Sequence, residues 1–392
     1  MKLSRTDRSL LADWWFTVDR VLLIAVLALA AGGVVLSLAG SPAVALKKGF
    51  QAFHFVERHF VFTAIGCILM LTVSLMQPRA IRRLAAGMFL ASLAIMVAVL
   101  IGGEEINGAR RWYQLASFSI QPSEFAKPAF VVLSAWAFGE QQRRPDMPAF
   151  PLALFLYLTF AVLLVLQPDI GQTLLISLVW GTLFVLSGQR LASALLLGLT
   201  GIGGLAMAYL SLGYVRLRVD RFFSMAIDDN SQTGRALQSF VEGGFLGRGP
   251  GEGTIKIALP DAHTDFIFAV VAEEFGVIAC MALAALFAAI VLRAFLHSFA
   301  RSDPFLRLAT AGLATLFGCQ ALINMAVNVG LMPAKGMTLP FISSGGSSLL
   351  SVYLTMGMLL ALSRRRPDPS RLRRPQLSAT NNALRNLGPT TQ

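Results

Sequence analysis

One stretch near the middle of the chain carries acidic side chains at positions where they could do chemistry. It reads PDAHTDFIFAVVAEEFG, and Asp265 lies where a polar segment meets an apolar run. Glu273 and Glu274 follow about two helical turns later inside that run. Because a carboxylate is costly there, it indicates a functional site, and Asp265, with His263 and Thr264 before it, could serve as a proton acceptor. Capping of the helix by Thr264 or Asp265 is an equally good explanation, and the two roles are compatible.

A second polar stretch, NGARRWYQLASFSIQPSEFAK, carries paired cations and an ion pair. The forked donors of Arg110 and Arg111 suit phosphate or pyrophosphate, and Trp112 is an amphipathic ring. Taken alone, this run favours the alternative of an interfacial anchor, since Trp and Arg are common at headgroup level. Glu124 and Lys127 lie three residues apart on one helical face, either as a structural ion pair or as contacts for a ligand headgroup.

Two further stretches combine turn residues with polar side chains. QPDIGQT places Asp169 at a tight turn, where it could cap the following helix. MPAKGMTLPFISSGGSS carries Lys335, Ser343 and Ser347 between prolines and glycines that prevent a continuous helix. Broken backbone at membrane depth is tolerated only where protein or a cavity satisfies its polar groups, so this stretch predicts a cavity wall.

The chain that must position these residues is unusually apolar. Of its 392 residues, 55% are hydrophobic and 14% are charged, whereas about a quarter of a soluble domain is charged. Several runs approach or exceed the roughly 20 residues that cross a bilayer. They predict an all-α, polytopic integral membrane protein with about ten transmembrane helices, at residues 21–40, 60–77, 84–101, 123–138, 150–167, 171–187, 191–213, 265–296, 304–329 and 345–363.

These spans define a leader at 1–20, a membrane domain at 21–363 with one large extracytoplasmic loop at 214–264, and a basic tail at 364–392. The first apolar run has no convincing cleavage site, which indicates a retained span. An even number of spans puts both termini on one side. The short connections on that side are richer in lysine and arginine, so both termini are predicted to be cytoplasmic. The tail lacks apolar periodicity and is predicted to be disordered.

This topology gathers the polar stretches on one side of the membrane. The outward connections are 41–59, 102–122, 168–170, 214–264 and 330–344, and the last four contain or adjoin the unusual polar residues. The inward connections are short and merely basic. The sequence therefore predicts one extracytoplasmic site.

Several classes of function are disfavoured. The net charge of +12 is spread over short loops and the tail, which suits anionic membrane lipids and not nucleic acid. The three cysteines lie in apolar runs, and no Cys/His spacing resembles a zinc site. The run GGFLGRGPGEG lacks the Lys-Ser/Thr of a phosphate-binding loop. We expect it to lie against the outer surface as a re-entrant or amphipathic loop, or to close over a lipid-linked substrate.

Together the motifs resemble the SEDS family of membrane proteins (shape, elongation, division, sporulation). The residues are NGARRW, QPSEFAK, QPDIGQT, HTDFIFAVVAEEFG and KGMTLPFISSGGSS, within a resemblance that covers about residues 15–365. The Lys335-Gly336 pair is similar to the division and sporulation branch, and the chain resembles the division branch most. It departs from the family pattern at Ala334, Ser344 and Gly234-Arg235, where Thr, Tyr and a Tyr-Gln pair are common.

The resemblance implies a peptidoglycan glycosyltransferase that polymerises lipid II, an undecaprenyl-pyrophosphate-linked disaccharide-pentapeptide, at the outer face of the cytoplasmic (inner) membrane. Asp265 would be the essential acid and general base. Arg110, Arg111 and Lys127, with Mg²⁺ or Mn²⁺ as a candidate helper, would stabilise the departing pyrophosphate in an inverting displacement. The other candidates for substrate contact are Trp112, Glu124, Asp169, His263, Glu273, Lys335, Ser343 and Ser347.

The same resemblance implies partners and leaves rivals. The partners are a cognate class B penicillin-binding transpeptidase and the septal division complex, with enrichment at the septum and no organic cofactor. One rival is a lipid II flippase, since Glu124, Lys127 and Glu273 inside predicted spans would suit a polar headgroup pathway. The others are an elongation-type polymerase and a division scaffold. Polymer formation in vesicles would separate the enzyme from a flippase or scaffold.

Overall fold

The computed structural model describes residues 9–105, 109–115, 118–144, 146–223, 231–259, 261–333 and 336–365. Lys335, most of the predicted disordered tail and the first part of the leader lie outside these ranges.

The described chain is helical apart from one short hairpin before the central helix. Its elements are α1 Leu10–Thr17, α2 Arg20–Lys47, α3 His54–Ser74, α4 Pro78–Gly102, β1 Tyr113–Leu115, β2 Phe118–Ile120, α5 Pro122–Gln141, α6 Ala149–Leu166, α7 Ile170–Leu186, α8 Leu191–Ser211, α9 Gly213–Phe223, α10 Gln232–Gly243, α11 Ile255–Ala258, α12 Ile267–Phe299, α13 Pro304–Asn328 and α14 Gly346–Ser363. The hairpin strands are antiparallel, with Tyr113 opposite Ile120.

A helix occupies each predicted span. Among the described residues, seven helices are long and apolar enough to cross a membrane: α2, α3, α4, α6, α12, α13 and α14. The apolar helices α7 and α8 lie at two further predicted positions, and α5 at the last. The prediction of an all-α, polytopic membrane protein is therefore confirmed. The hairpin was not predicted.

The centre of the bundle is formed by α5, α13 and α14, whose side chains are mostly buried. The helix α14 packs most extensively against α3, and α5 packs against α4 and α13. Gly66 permits the first contact, because a Cβ there would lie 2.0 Å from the Tyr353 ring. The peripheral helices instead expose large apolar side chains such as Ile68, Leu90 and Leu292, which suits contact with lipid.

The predicted large loop contains regular structure of its own. Residues 213–258 include α9, α10 and α11, and α10 packs against α12 through one face. Ala236 and Ser239 of α10 are buried, while Val241 is 81% exposed. The helix α10 is therefore amphipathic.

The helix α12 is broken at Gly276, and the glycine-rich loop fills the break. Gly276 has φ 79° and ψ 174°, and a Cβ would lie 2.2 Å from the Phe245 carbonyl oxygen, so only glycine fits. The amides of Val277 and Ile278 donate to the carbonyls of Gly244 and Phe245. In return, the amides of residues 248 and 249 donate to the carbonyls of residues 273 and 274. The loop therefore supplies hydrogen bonds that the broken helix lacks.

Candidate functional site

A cavity of about 470 Å³ opens at the end of the bundle where the predicted outward connections meet. Its volume is within the range of small-molecule sites. The lining comes from α3, the hairpin region, the turn before α12, and the segment that leads into α14. The lining residues are Phe55, Arg58, His59, Phe62, Arg111, Trp112, Gln114, Ser119, Gln121, Glu124, Asp261, His263, Thr264, Asp265, Gly336, Thr338, Ser344, Gly345, Gly346, Ser347, Ser348 and Leu349.

Asp265 faces this cavity from the turn that precedes α12. Its carboxylate accepts no hydrogen bond from any of the described residues. The carboxyl is accessible from the cavity but lies deep in the protein. This burial, assisted by the negative charge of Asp261, raises the pKa of Asp265 to about 7. A carboxylate with such a pKa can accept a proton near neutral pH.

The capping role that the sequence left open for Asp265 belongs to another residue. No side chain within the turn caps α12; instead the Oδ1 atom of Asn328 accepts from the Ala269 amide at 3.1 Å. The Nδ2 atoms of Asn328 and Asn324 both donate to the Asp265 carbonyl at 2.9 Å. The backbone of Asp265 is therefore held by α13, which leaves its carboxylate uncommitted.

The two preceding carbonyls are also held. Ser343 Oγ donates to the Thr264 carbonyl at 2.6 Å and accepts from the Leu339 amide at 2.7 Å. The Ser344 amide donates to the His263 carbonyl at 2.9 Å. Three consecutive carbonyls are thus fixed from outside the turn, which limits where the Asp265 side chain can point. Ser343 acts on this backbone and does not line the cavity.

Glu124 and Lys127 form a buried ion pair on α5, which was the first of the two interpretations offered by the sequence. Lys127 Nζ lies 2.9 Å from Glu124 Oε1 and 2.9 Å from Gln172 Oε1, and it also contacts Gln320 Oε1 at 3.4 Å. All three ammonium protons of Lys127 are therefore used within the protein. Glu124 Oε2 is buried and has no hydrogen-bond partner among the described residues, and Glu124 lines the cavity. That oxygen can accept a donor from a ligand.

Arg111 lines the cavity, but its guanidinium binds the turn between α6 and α7. Its Nε donates to the Gln167 carbonyl at 2.9 Å, and its Nη2 donates to the Pro168 carbonyl. Its Nη1 lies 3.7 Å from Asp169 Oδ2. Asp169 also accepts from the Gln172 amide at 3.3 Å, so it caps α7, and its burial raises its pKa. Arg111 and Asp169 thus join two predicted outward connections.

His263 also lines the cavity, with its ring 4.6 Å from that of Phe55 between centroids. Burial, with a smaller effect from the Lys48 charge, lowers the pKa of His263 to about 4. The imidazole is therefore neutral at pH 7 and offers hydrogen bonds without a charge.

Not all predicted site residues reach the cavity. Arg111, Trp112, Glu124, His263, Asp265 and Ser347 line it, whereas Arg110, Lys127, Asp169, Glu273 and Ser343 do not, and Lys335 lies outside the described residues. Arg110 is exposed and lies 3.9 Å from Glu105. Glu273 instead accepts the backbone amides of residues 254, 255 and 256 at 2.6 to 3.0 Å. It holds the start of α11 in place.

Sequence reasoning missed the wall that α3 contributes. The loop after the first span was expected to end at residue 59, but α3 already begins at His54. Phe55, Arg58, His59 and Phe62 then share one helical face at i, i+3, i+4 and i+7. That spacing, with an arginine and a histidine between two phenylalanines, was the signal available in the sequence.

The donor set of the cavity does not form a metal cage. Among the described residues, no three His, Cys, Asp or Glu side chains are grouped so as to hold a metal ion. The cavity carboxylates are Glu124, Asp261 and Asp265. Mg²⁺ is commonly held by one or two carboxylates together with substrate phosphates. A cation in this cavity would therefore need ligands from the substrate as well as from the protein.

Comparison with known proteins extends this picture over nearly the whole chain. Residues 19–367 match the FtsW/RodA/SpoVE family, described as cell cycle proteins. The chain belongs to this family. It is 46% identical to the probable peptidoglycan glycosyltransferase FtsW of Caulobacter vibrioides over 93% of this chain and 94% of that protein. It is 35% identical to the same-named protein of Trichlorobacter lovleyi, over 88% and 93% of the two chains.

Solved structures of family members share the fold. A chain from a peptidoglycan synthase complex, studied for the coordination of polymerization and crosslinking, has a TM-score of 0.74 and 30% identity. The match covers 88% of this chain and 97% of that chain. The rod shape determining protein RodA of Thermus thermophilus has a TM-score of 0.65 and 27% identity, over 90% and 99% of the chains. The resemblance to the SEDS family, which contains these proteins, is thereby confirmed.

Proposed function

We propose that this family member is a peptidoglycan glycosyltransferase of cell division, which polymerises lipid II with Asp265 as general base. The observation that carries the proposal is an uncommitted carboxylate with a pKa of about 7, held by its backbone and facing the 470 Å³ cavity. The family relatives named as probable peptidoglycan glycosyltransferases support the reaction class.

The reaction is a displacement at the anomeric carbon of one lipid-linked sugar. A hydroxyl of the second sugar attacks that carbon, and Asp265 takes the hydroxyl proton as the new glycosidic bond forms. The bond from the anomeric carbon to the diphosphate oxygen breaks, and its electron pair leaves with the prenyl diphosphate. No covalent glycosyl-enzyme forms. The Glu124 Oε2 atom is positioned to accept a hydrogen bond from a sugar hydroxyl or amide.

We propose that Mg²⁺ or Mn²⁺, if the reaction uses either, is bound together with the substrate. The cation would be held largely by diphosphate oxygens, because the protein offers no three-residue group for it among the described residues. Titration with a chelator, followed by restoration with each metal, measures whether polymer formation requires either ion.

We also propose that both termini are cytoplasmic and that the cavity opens on the extracytoplasmic face. The lysine and arginine bias of the short connections supports this orientation. A cysteine at exposed Glu252 should react with an impermeant thiol reagent in spheroplasts, and one at exposed Asp146 should not. The reverse pattern would move the cavity to the cytoplasmic face and contradict lipid II polymerisation there.

The deciding experiment is glycan-chain formation from purified lipid II in reconstituted vesicles, with and without the cognate class B transpeptidase. That partner, the septal complex and enrichment at the septum are part of the proposal, supported by the synthase complex found among the structural relatives. Polymer from the parent but not from Asp265→Asn supports the enzyme. Transbilayer movement of labelled lipid II without any polymer would favour the flippase, and absence of both would favour a scaffold.

A further inference from the structure

One wall of the cavity is built from α3 and the start of α14. Arg58, His59 and Phe62 of α3 line it, as do Ser344 and the first residues of α14. The two helices are packed closely here, since a Cβ at Gly346 would lie 3.0 Å from the Phe62 ring. Groups on α3 and the amino end of α14 therefore face the same space.

The amino end of α14 has free hydrogen-bonding capacity. No side chain caps this helix, and its first backbone bond is the one from the Leu349 amide to the Gly345 carbonyl. The Oγ atom of Ser344 is buried and has no partner among the described residues. An uncapped helix amino end carries a partial positive charge and amide donors, which suits an anion.

Arg58 adds a full positive charge to the same space. Its guanidinium lies over the Phe62 ring, 5.6 Å from the centroid, and that ring contacts Gly346. Arg58 makes no ion pair within the described part of the chain. A guanidinium beside a helix amino end is a repulsive arrangement unless an anion lies between them.

His59 provides the independent observation that points to a ligand. It is only 2% exposed, and neither ring nitrogen makes a hydrogen bond of normal geometry, although the Phe341 backbone lies beside the ring. A buried polar side chain without a partner is costly, and this one lines the cavity. A bound acceptor would satisfy it.

The cations expected from the sequence are more constrained than Arg58. Arg111 lines the cavity but donates from Nε and Nη2 to the Gln167 and Pro168 carbonyls and lies 3.7 Å from Asp169. Lys127 uses all three of its protons within the bundle, and Arg110 does not line the cavity. Among the described residues that line the cavity, Arg58 is therefore the arginine without an ion pair to a carboxylate.

We propose that Arg58, His59 and the amino end of α14 form the subsite for the diphosphate of a prenyl-linked substrate. This inference rests on the proposed function, because the diphosphate is the leaving group of that reaction. As the bond to the anomeric carbon breaks, negative charge grows on the diphosphate oxygen, where the guanidinium and the α14 amides stabilise it.

The test is direct binding of farnesyl diphosphate to the purified full-length protein in detergent, with farnesol as the uncharged control ligand. Arg58→Ala should bind farnesyl diphosphate about 10- to 100-fold more weakly, as expected for the loss of a charge-assisted hydrogen bond, and farnesol unchanged. Arg58→Lys should recover part of the loss. Arg216→Ala, an exposed arginine of α9 paired with Asp220, should bind as the parent does.

A second pair of variants isolates charge without removing Arg58. Ser344→Asp places a carboxylate beside the amino end of α14, and Ser344→Asn is its neutral counterpart. The aspartate should weaken farnesyl diphosphate binding at least tenfold relative to the asparagine, with thermal unfolding confirming that both variants fold. Parental binding of farnesyl diphosphate by Arg58→Ala, or equal binding by the two Ser344 variants, would overturn the subsite.

The outcome is separable from that of the proposed function. Binding that depends on Arg58 in a protein that makes no glycan would leave the subsite standing and refute the polymerase. Glycan formation together with diphosphate binding that ignores Arg58 would refute the subsite alone.

Discussion

The acids at the two ends of one short sequence, Asp265 and the pair Glu273-Glu274, differ in how far the protein satisfies them. Glu273 accepts three backbone amides, and Glu274 pairs with Lys256 and accepts the Gly251 amide at 3.1 Å. The carboxylate of Asp265 has no hydrogen-bond partner among the described residues. In Asp265 the backbone carries the structural bonds, whereas in Glu273 and Glu274 the side chains do.

The difference shows why an acid inside an apolar run is an incomplete signal for chemistry. All three positions looked alike in the sequence because burial of a carboxylate is costly at each. In the structure, two of them fasten the glycine-rich loop and its helix α11 onto α12, and only Asp265 retains lone pairs that a substrate can use. Chemistry is therefore expected where the side chain is unsatisfied and its backbone is fixed.

The largest expected effect comes from removing the charge of Asp265. Asp265→Asn should slow glycan polymerisation by roughly 10²–10⁴-fold, the usual contribution of a general base. Since Asn328 and not Asp265 caps α12, the variant should unfold at or above the parental temperature. The measurement is polymer formation from lipid II beside thermal unfolding in the same detergent. Near-parental polymerisation would remove Asp265 from catalysis.

The corresponding substitution at Glu274, whose carboxylate is already bound within the protein, should lower the stability of the fold. Glu274→Gln leaves the ammonium of Lys256 buried without its partner and should cost about 3–5 kcal/mol of folding free energy. The double variant Lys256→Met with Glu274→Met should recover much of that loss, because both charges are removed. Thermal unfolding measures this, with activity expressed per folded molecule. A Glu274→Gln protein that is stable but inactive would make this acid catalytic and erase the contrast.

A smaller effect is expected from the residue that holds the Asp265 backbone. Asn328→Ala removes a donor to the Asp265 carbonyl and the acceptor of the Ala269 amide, which should cost about 1–3 kcal/mol. Either variant leaves the other asparagine on the Asp265 carbonyl, but Asn324→Ala should cost less in activity, because Asn328 still accepts the Ala269 amide at the start of α12. Rates and unfolding temperatures of the two variants give the comparison. Greater loss of activity in Asn324→Ala would show that Asn328 does not dominate the positioning.

The smallest expected effect is a shift in pH dependence. The base must be ionised, so kcat/KM should rise with pH through about 7, the pKa of Asp265. Asp261→Asn removes a negative charge that raises this pKa, so the rising limb should move to lower pH. Rates from pH 5.5 to 8.5 measure the limb. A limb that moves to higher pH, or stays in place, would show that Asp261 does not act on this group.

Much of the fold could be predicted because the apolar runs are long and a bilayer limits the options. All ten predicted spans coincide with helices, and four of the five predicted outward connections contribute residues to one cavity, the exception being 168–170. Boundaries were less predictable: α3 begins before its expected start, since Phe55, Arg58 and His59 continue a helical face through residues counted as loop.

The roles of individual site residues were harder to predict because they depend on partners distant in sequence. Lys127 donates to side chains on α5, α7 and α13, and Arg111 donates from Nε and Nη2 to a turn more than fifty residues away. Asp265 remains uncommitted because Asn328, on the next span, serves as the cap. No local pattern around these residues contains that information.

The break at Gly276 determines which part of the connection between α8 and α12 can move. Residues 244–249 exchange four backbone hydrogen bonds with α12, so lifting them would strand polar groups of the helix as well as their own. At membrane depth each stranded group costs several kcal/mol. This stretch therefore cannot swing over a substrate as a lid would. It is a fixed support for the broken helix. Hydrogen exchange at the Val277 and Ile278 amides should therefore be slow whether the cavity is empty or filled.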